Sequence, residues 1–141
     1  MKSKISLLLL FLLLLVLSAQ AQTQTKNTNI QEEETPVSVV DRQLEAYNAR
    51  DIDFFVSTYT EDIEIYNSKG ELTMKGHEQL RERYAALFKN TPNLHCRIVN
   101  RILINNKVID NENVTMNERI VEAVAIYEVE NGKIKKVTFV N

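Results

Sequence analysis

The stretch DRQLEAYNARDIDFFVSTYTEDIEIYN, residues 41–67, changes its apolar period twice, and each change predicts an element boundary. Val37, Val40, Leu44 and Tyr47 recur at i, i+3, i+7 and i+10, the stripe of an amphipathic helix. Thr35 suits its N-cap, and Pro36 suits the first helical position, where a missing N–H costs nothing. Asn48–Asp51 is a break, with Asp51 placed to cap a second turn. Ile52, Phe55 and Tyr59 then repeat the helical spacing for about two turns. Ile63 and Ile65 alternate with Glu64 and Tyr66, the period of a half-buried strand. Two helices feeding directly into a strand predict an α+β domain with helices laid across a sheet.

The remaining punctuation extends this order. Ser68-Lys69-Gly70 reads as a turn, Glu71–Lys75 as a short return strand, and Gly76 as its end. A third helix from His77 to about Asn90 carries Leu80, Tyr84, Leu87 and Phe88 on one stripe, with Arg81, Glu82 and Arg83 off it. Thr91-Pro92-Asn93 stops it. Four strands follow, 94–104, 107–116, 118–129 and 133–140, turning at Asn105-Asn106 and at the strong hairpin signal Asn131-Gly132. Three helices on one face of a curved, mostly antiparallel sheet leave a concavity, a natural small-molecule pocket.

Residues 1–21 read as an export leader. Lys2 and Lys4 precede an apolar run from Ile5 to Leu17, and Ala19-Gln20-Ala21 supplies a small-x-small cleavage site. A membrane anchor is the competing reading, but a run of about 13 residues is too short to span the hydrocarbon core. Cleavage after Ala21 is expected, with a periplasmic or extracellular destination and no membrane attachment thereafter. The polar segment 22–35 reads as a disordered tether and 36–141 as one domain with one core.

The leader takes two lysines and no acid with it, leaving 15 basic residues against 19 acidic ones. A mildly acidic chain has no general attraction for nucleic acid. Its basic cluster, Lys133, Lys135 and Lys136, reads as a solvated strand edge. Cys96 is the only cysteine, so no internal disulfide can form, and a buried inert thiol is expected. Two histidines without HxH or HExxH spacing carry no metal signature, and three glycines cannot build a phosphate loop. No metal or cofactor is expected. Asn113-Val114-Thr115 fits the N-glycosylation pattern, which matters only in a host that glycosylates secreted proteins.

The run AYNARDIDFFVSTYTEDIEIY, followed by KGHEQLRERYAALF and a four-strand meander, resembles the NTF2-like superfamily, in particular its SnoaL-like and ketosteroid-isomerase-like branch. The resemblance covers about 36–140. It implies an α+β cone, open at one end, with three N-terminal helices packed on a curved, mostly antiparallel sheet whose outer face often pairs two copies. For the isomerase branch it also implies a first-helix Tyr, a proton-shuttling Asp after the first strand and a protonated Asp on a late strand; that oxyanion-hole arrangement is a worked case of pKa tuning. These positions fall on Gln43, Asn67 and Ala125. Asn takes no proton at neutral pH and Ala offers no donor, so steroid isomerisation is not carried over with the fold. Only a supporting third-helix Tyr is matched, by Tyr84.

Strand alternation nominates further polar groups. If Ala125 points inward, Arg119, Val121, Ala123, Tyr127 and Val129 do too, with Glu118, Glu122 and Glu128 outward. On 94–104, His95, Arg97, Val99, Arg101 and Leu103 share one face and Cys96, Ile98, Ile102 and Ile104 the other, and pattern does not say which is inward. Asp110 and Glu112 share a face with Val108, Val114 and Met116, and carboxylates there want partners; Arg101 and Arg119 are the obvious ones. One reading makes Tyr47, Asn67, Tyr84, Arg101, Arg119 and Tyr127, with His95 and Glu112, a ligand-orienting patch. The other makes the charges a cross-strand network and the tyrosines core. As catalytic candidates the chain offers His95, Asp110 and Glu112, His95 through a dyad with either carboxylate.

Loss of the isomerase acid and base favours a protein that binds a small apolar or amphipathic ligand in the cone over an enzyme. The alternatives are a cofactor-free lyase, cyclase or hydrolase of the SnoaL type, and a dimeric interaction module whose sheet binds a partner. A cavity packed shut by Tyr47, Phe55, Tyr84 and Phe88 would favour the last.

Overall fold

The computed structural model describes residues 34–140, so the expected leader, the expected cleavage site and most of the expected tether lie outside the described residues. Helices α1 (Pro36–Ala49) and α2 (Ile52–Ser57) lead into strands β1 (Tyr59–Tyr66) and β2 (Leu72–Lys75). Then come α3 (Gly76–Asn90), β3 (His95–Ile104), β4 (Lys107–Met116), β5 (Arg119–Glu130) and β6 (Lys133–Val140). The expected α+β order is present throughout.

The caps work as their chemistry requires. Thr35 Oγ1 accepts from the Ser38 amide at 3.1 Å, and Asp51 Oδ1 accepts from the Phe54 amide at 3.0 Å. Between them, Arg50 ends α1 in the left-handed conformation at φ 56°. Tyr59, expected on the α2 stripe, is instead the first residue of β1. The Thr58 hydroxyl donates to the Phe55 carbonyl at 2.7 Å and closes the helix one residue earlier.

The six strands lie in the order β2-β1-β6-β5-β4-β3. All neighbours are antiparallel except β1 and β6, which run parallel. The last strand therefore sits inside the sheet, and Lys133, Lys135 and Lys136 do not protect an edge. Lys135 pairs with Glu130 and Lys136 with Glu128, and Lys133 donates to the Ser57 carbonyl. The edges are β2 and β3, and β3 is tied to α1 by Asn48, whose Nδ2 donates to the Cys96 carbonyl at 3.0 Å while its Oδ1 accepts from the Cys96 amide at 2.7 Å. That clamp occupies backbone groups an edge strand would otherwise present.

A bulge decides the faces of β3. Ile98 pairs with Glu112 and Asn100 with Asn111, leaving Val99 without a partner. An extra residue reverses the alternation beyond it. Cys96 and Ile98 point inward before the bulge, opposite Val114 and Glu112; Arg101 points inward after it, opposite Asp110. Straight alternation, which grouped His95 and Arg97 with Arg101, fails for this reason, and His95 and Arg97 are exposed.

The core lies between the helices and the inner sheet face. Val39, Val40 and Ala46 of α1 and Leu80 of α3 meet Ile63, Val108, Ala125, Ile134 and Val137 of the sheet. Phe55 of α2 is fully buried. Its ring centroid is 4.5 Å from Tyr84, 5.1 Å from Tyr59 and 5.6 Å from Phe88. Side chains of this size each contribute about 1.5–3 kcal/mol when fully buried, so α2, though short, is firmly held.

Candidate functional site

The aromatic cluster does not close the cone. A cavity of about 360 Å³ remains among Leu44 and Tyr47 of α1, Tyr84 of α3, Val114 of β4, Ala123 and Tyr127 of β5 and Phe139 of β6. Tyr47, Ile65, Arg83, Tyr84, Met116 and Phe139 also line a larger groove of about 820 Å³, which Asn67, Thr73, Met74, Glu82 and Leu87 extend toward the β1–β2 hairpin. The groove is the vestibule of the cavity. A further depression of about 340 Å³ lies on the outer sheet face among Glu64, Glu128, Glu130, Lys135 and Lys136. Its charges largely pair with one another or with Lys75.

Glu112 is the acidic group of the cavity. It is 6% exposed, and the Tyr127 hydroxyl donates to its Oε1 at 2.7 Å. Burial pushes its carboxyl up to about 7; the nearby Asp110 adds to that, while Tyr127, the Cys96 thiol and Arg101 favour the charged form. Such a group changes protonation near neutrality, the range useful for proton transfer. Around it the phenols stay protonated donors. Burial drives Tyr47, Tyr59 and Tyr127 upward and takes Tyr84 to about 12. Cys96 lines the same wall, and burial pushes its thiol up to about 12, so it is no nucleophile. Gln43, buried on α1 beside Tyr59, adds a carboxamide.

Asp110, two residues before Glu112, has the opposite environment. It is fully buried and held bidentately by Arg101, Nε to Oδ1 at 2.6 Å and Nη2 to Oδ2 at 2.7 Å. Arg101 also reaches Asp41 of α1 at 2.5 Å. This triad staples the inner sheet to α1 and takes no part in the cavity wall. The cross-strand network was the right reading for Arg101 and Asp110, and it is the wrong one for Glu112, whose partner is a phenol.

The other nominated residues divide in the same way. Tyr47, Tyr84, Tyr127 and Glu112 converge on the cavity. Asn67 stands at the vestibule rim, where its Oδ1 accepts from the Lys69 and Glu71 amides and its Nδ2 donates to Glu71. It shapes the turn and does not reach the cavity. His95 is exposed on the outward face opposite Thr115, so no dyad with Asp110 or Glu112 forms. Arg119 is exposed opposite Met116 at the start of β5 and pairs with no carboxylate among the described residues. His77, at the start of α3, is half-buried with Nε2 3.1 Å from the Tyr59 carbonyl. Cys96, Gln43 and Arg83 were not singled out as lining residues. Cys96 needed the bulge to be known, and Arg83 sits one position off the α3 stripe, beside Tyr84.

Ala125, at the late-strand acid position, is fully buried opposite Asp110. The cavity's carboxyl stands one strand over, on β4, where Glu112 faces Ala123.

The SnoaL-like domain family matches residues 40–137. A cystatin fold protein described as uncharacterized, from Novosphingobium aromaticivorans, is 27% identical with a TM-score of 0.73, over 77% of this chain and 100% of that one. An NTF2-like protein of unknown function from Cytophaga hutchinsonii is 16% identical with a TM-score of 0.66, over 77% and 91%. A protein from Sinorhizobium meliloti named as a candidate polyketide cyclase is 14% identical with a TM-score of 0.63, over 72% and 92%. No curated protein matches significantly. At such identities the fold is shared and the chemistry is argued from the site. With the family match spanning most of the domain and a three-helix, six-strand architecture shared with these structures, this chain belongs to the SnoaL-like domain family of the NTF2-like fold.

Proposed function

We propose that the protein binds a small, largely apolar ligand in the cone cavity and orients it by a carbonyl or hydroxyl group at the Glu112–Tyr127 pair. One observation carries this reading: an open cavity of about 360 Å³ with a buried carboxyl and a phenol on its wall. That volume lies at the lower end of the ~300–1,000 Å³ usual for small-molecule sites. Apolar walls with few polar groups supply affinity from the former and orientation from the latter.

A second reading has its own support. Glu112, titrating near neutrality inside the cavity, has what a general base needs in a cofactor-free lyase, cyclase or hydrolase, and the protonated phenols are donors for a developing oxyanion. The leader sequence supports export, and the row Ile102–Ile109–Ile126 across the outer sheet face supports pairing of two copies through the sheet.

Native mass spectrometry of the protein purified from its exported compartment, followed by denaturing extraction, tests the binding reading. A co-purifying apolar molecule is expected, absent from Ala123→Leu, whose added side chain fills the cavity. If both proteins fly free of ligand, the binding reading fails. Incubating any recovered molecule with the protein in heavy water separates the two readings: deuterium incorporation lost in Glu112→Gln marks an enzyme.

A further inference from the structure

Arg83 is the sole cation among the described residues lining either the cavity or its vestibule, and it lines both. Its guanidinium has no ion-pair partner among the described residues. Elsewhere in the domain, Arg42 pairs with Glu34, Arg81 with Asp53 and Arg101 with two aspartates, and Arg50 donates to the Leu94 carbonyl. Arg97 and Arg119 have no ion-pair partner among the described residues either, but both are exposed and line neither the cavity nor its vestibule. Five N–H donors in a fixed fork therefore stand at the cavity mouth without an acceptor among the described residues. Two acids share these walls. Glu82 lies on the vestibule side alone and Glu112 on the cavity side alone, and neither is within ion-pairing distance of Arg83.

We propose that the cavity's ligand is an amphipathic anion, its carboxylate, sulfonate or phosphate held by Arg83 at the mouth and its apolar body directed inward. The inference rests on the cavity reading above and names the ligand class for it. A planar guanidinium matches such oxyanions with paired hydrogen bonds. The reverse orientation would bring the anion against Glu112, which shares its sign once ionised and lies in a poorly solvated wall. The charges thus set a direction: cation at the mouth, acid inside, apolar surface between.

Two fluorescent probes share one arylamine body and differ in charge. 8-Anilinonaphthalene-1-sulfonate is an anion, and N-phenyl-1-naphthylamine is neutral. Titration of each into the purified protein at neutral pH and low salt is expected to give about tenfold tighter binding of the sulfonate. The preference shrinks as salt is added. Arg83→Gln is expected to abolish it without changing the affinity for the neutral probe. Arg83→Lys keeps part of it, and Arg81→Gln, two residues earlier on the same helix and outside both linings, keeps it whole. Ala123→Leu weakens both probes and so locates them in the cavity. Equal affinity of the wild type for the two probes, or parallel loss of both in Arg83→Gln, overturns the anion inference and leaves the cavity reading standing. If neither probe binds, the cavity reading falls, and this inference with it.

Discussion

The Tyr127 hydroxyl donates to Glu112 Oε1 at 2.7 Å although the two residues are not cross-strand partners: Tyr127 stands opposite Val108 and Glu112 opposite Ala123. Ala123 and Ala125 lie on the same face between them, and their small side chains leave the ring room to lean along the strand. The pair depends on two alanines as much as on its own members. It places a carboxyl in the cavity wall with a phenol, not a cation, as its hydrogen-bonding partner.

That placement has a pH signature. Glu112 has an ordinary value of 4.5 and is raised to about 7 in the fold. Between those values the folded state holds a proton that the unfolded chain has lost, so stability falls as pH rises through this window. The loss is about 3 kcal/mol at most and levels off above neutrality. Glu112→Gln, neutral at every pH, lacks this slope. Urea denaturation is expected to show the variant close to wild type near pH 5 and more stable near pH 8. Identical pH slopes in both proteins would contradict a raised carboxyl.

Arg101 carries the opposite electrostatic arrangement. Arg101→Met leaves Asp110 buried without a counter-charge, and the expected cost is about 3–5 kcal/mol. Asp41→Asn removes only the outer partner, whose side chain is 56% exposed, and should cost less than about 1 kcal/mol. Guanidinium denaturation of the two variants measures both. Equal small costs would contradict a fold that depends on the buried Arg101–Asp110 pair.

The outer sheet face predicts an assembly state. Ile102, Ile109 and Ile126 lie on one row of hydrogen-bonded strands, and Ile102 is 49% exposed. Contiguous exposed apolar surface of this kind marks interaction sites. Sedimentation velocity is expected to show a dimer that Ile126→Lys converts to monomer. A monomeric wild type at tens of micromolar would end that reading.

Much of the fold was legible because its signals are local. Helix caps at Thr35 and Asp51, the 3.6-residue stripe of α3 and the Asn131-Gly132 turn each act over a few residues. The site was legible in part. Glu112 stood out together with Asp110 as an acid on an otherwise apolar strand face, and Tyr127 followed from alternation on β5. His95 and Arg101 were misplaced relative to one another because one unpaired residue, Val99, reverses the faces of β3, and no composition signal marks it.

By itself the sequence determined the kinds of element, their order and the α+β class, since periodicity and capping are properties of neighbouring residues. The tertiary structure decided which of two similar carboxylates, Asp110 and Glu112, became a staple and which a cavity group. Side chains from other elements set that outcome: Arg101, itself braced by Asp41, neutralises the first, while the second faces Tyr127 across two alanines in a wall that water scarcely reaches. The parallel pairing of β1 with β6, which closes the sheet behind the cavity, is likewise a long-range contact that no local pattern encodes.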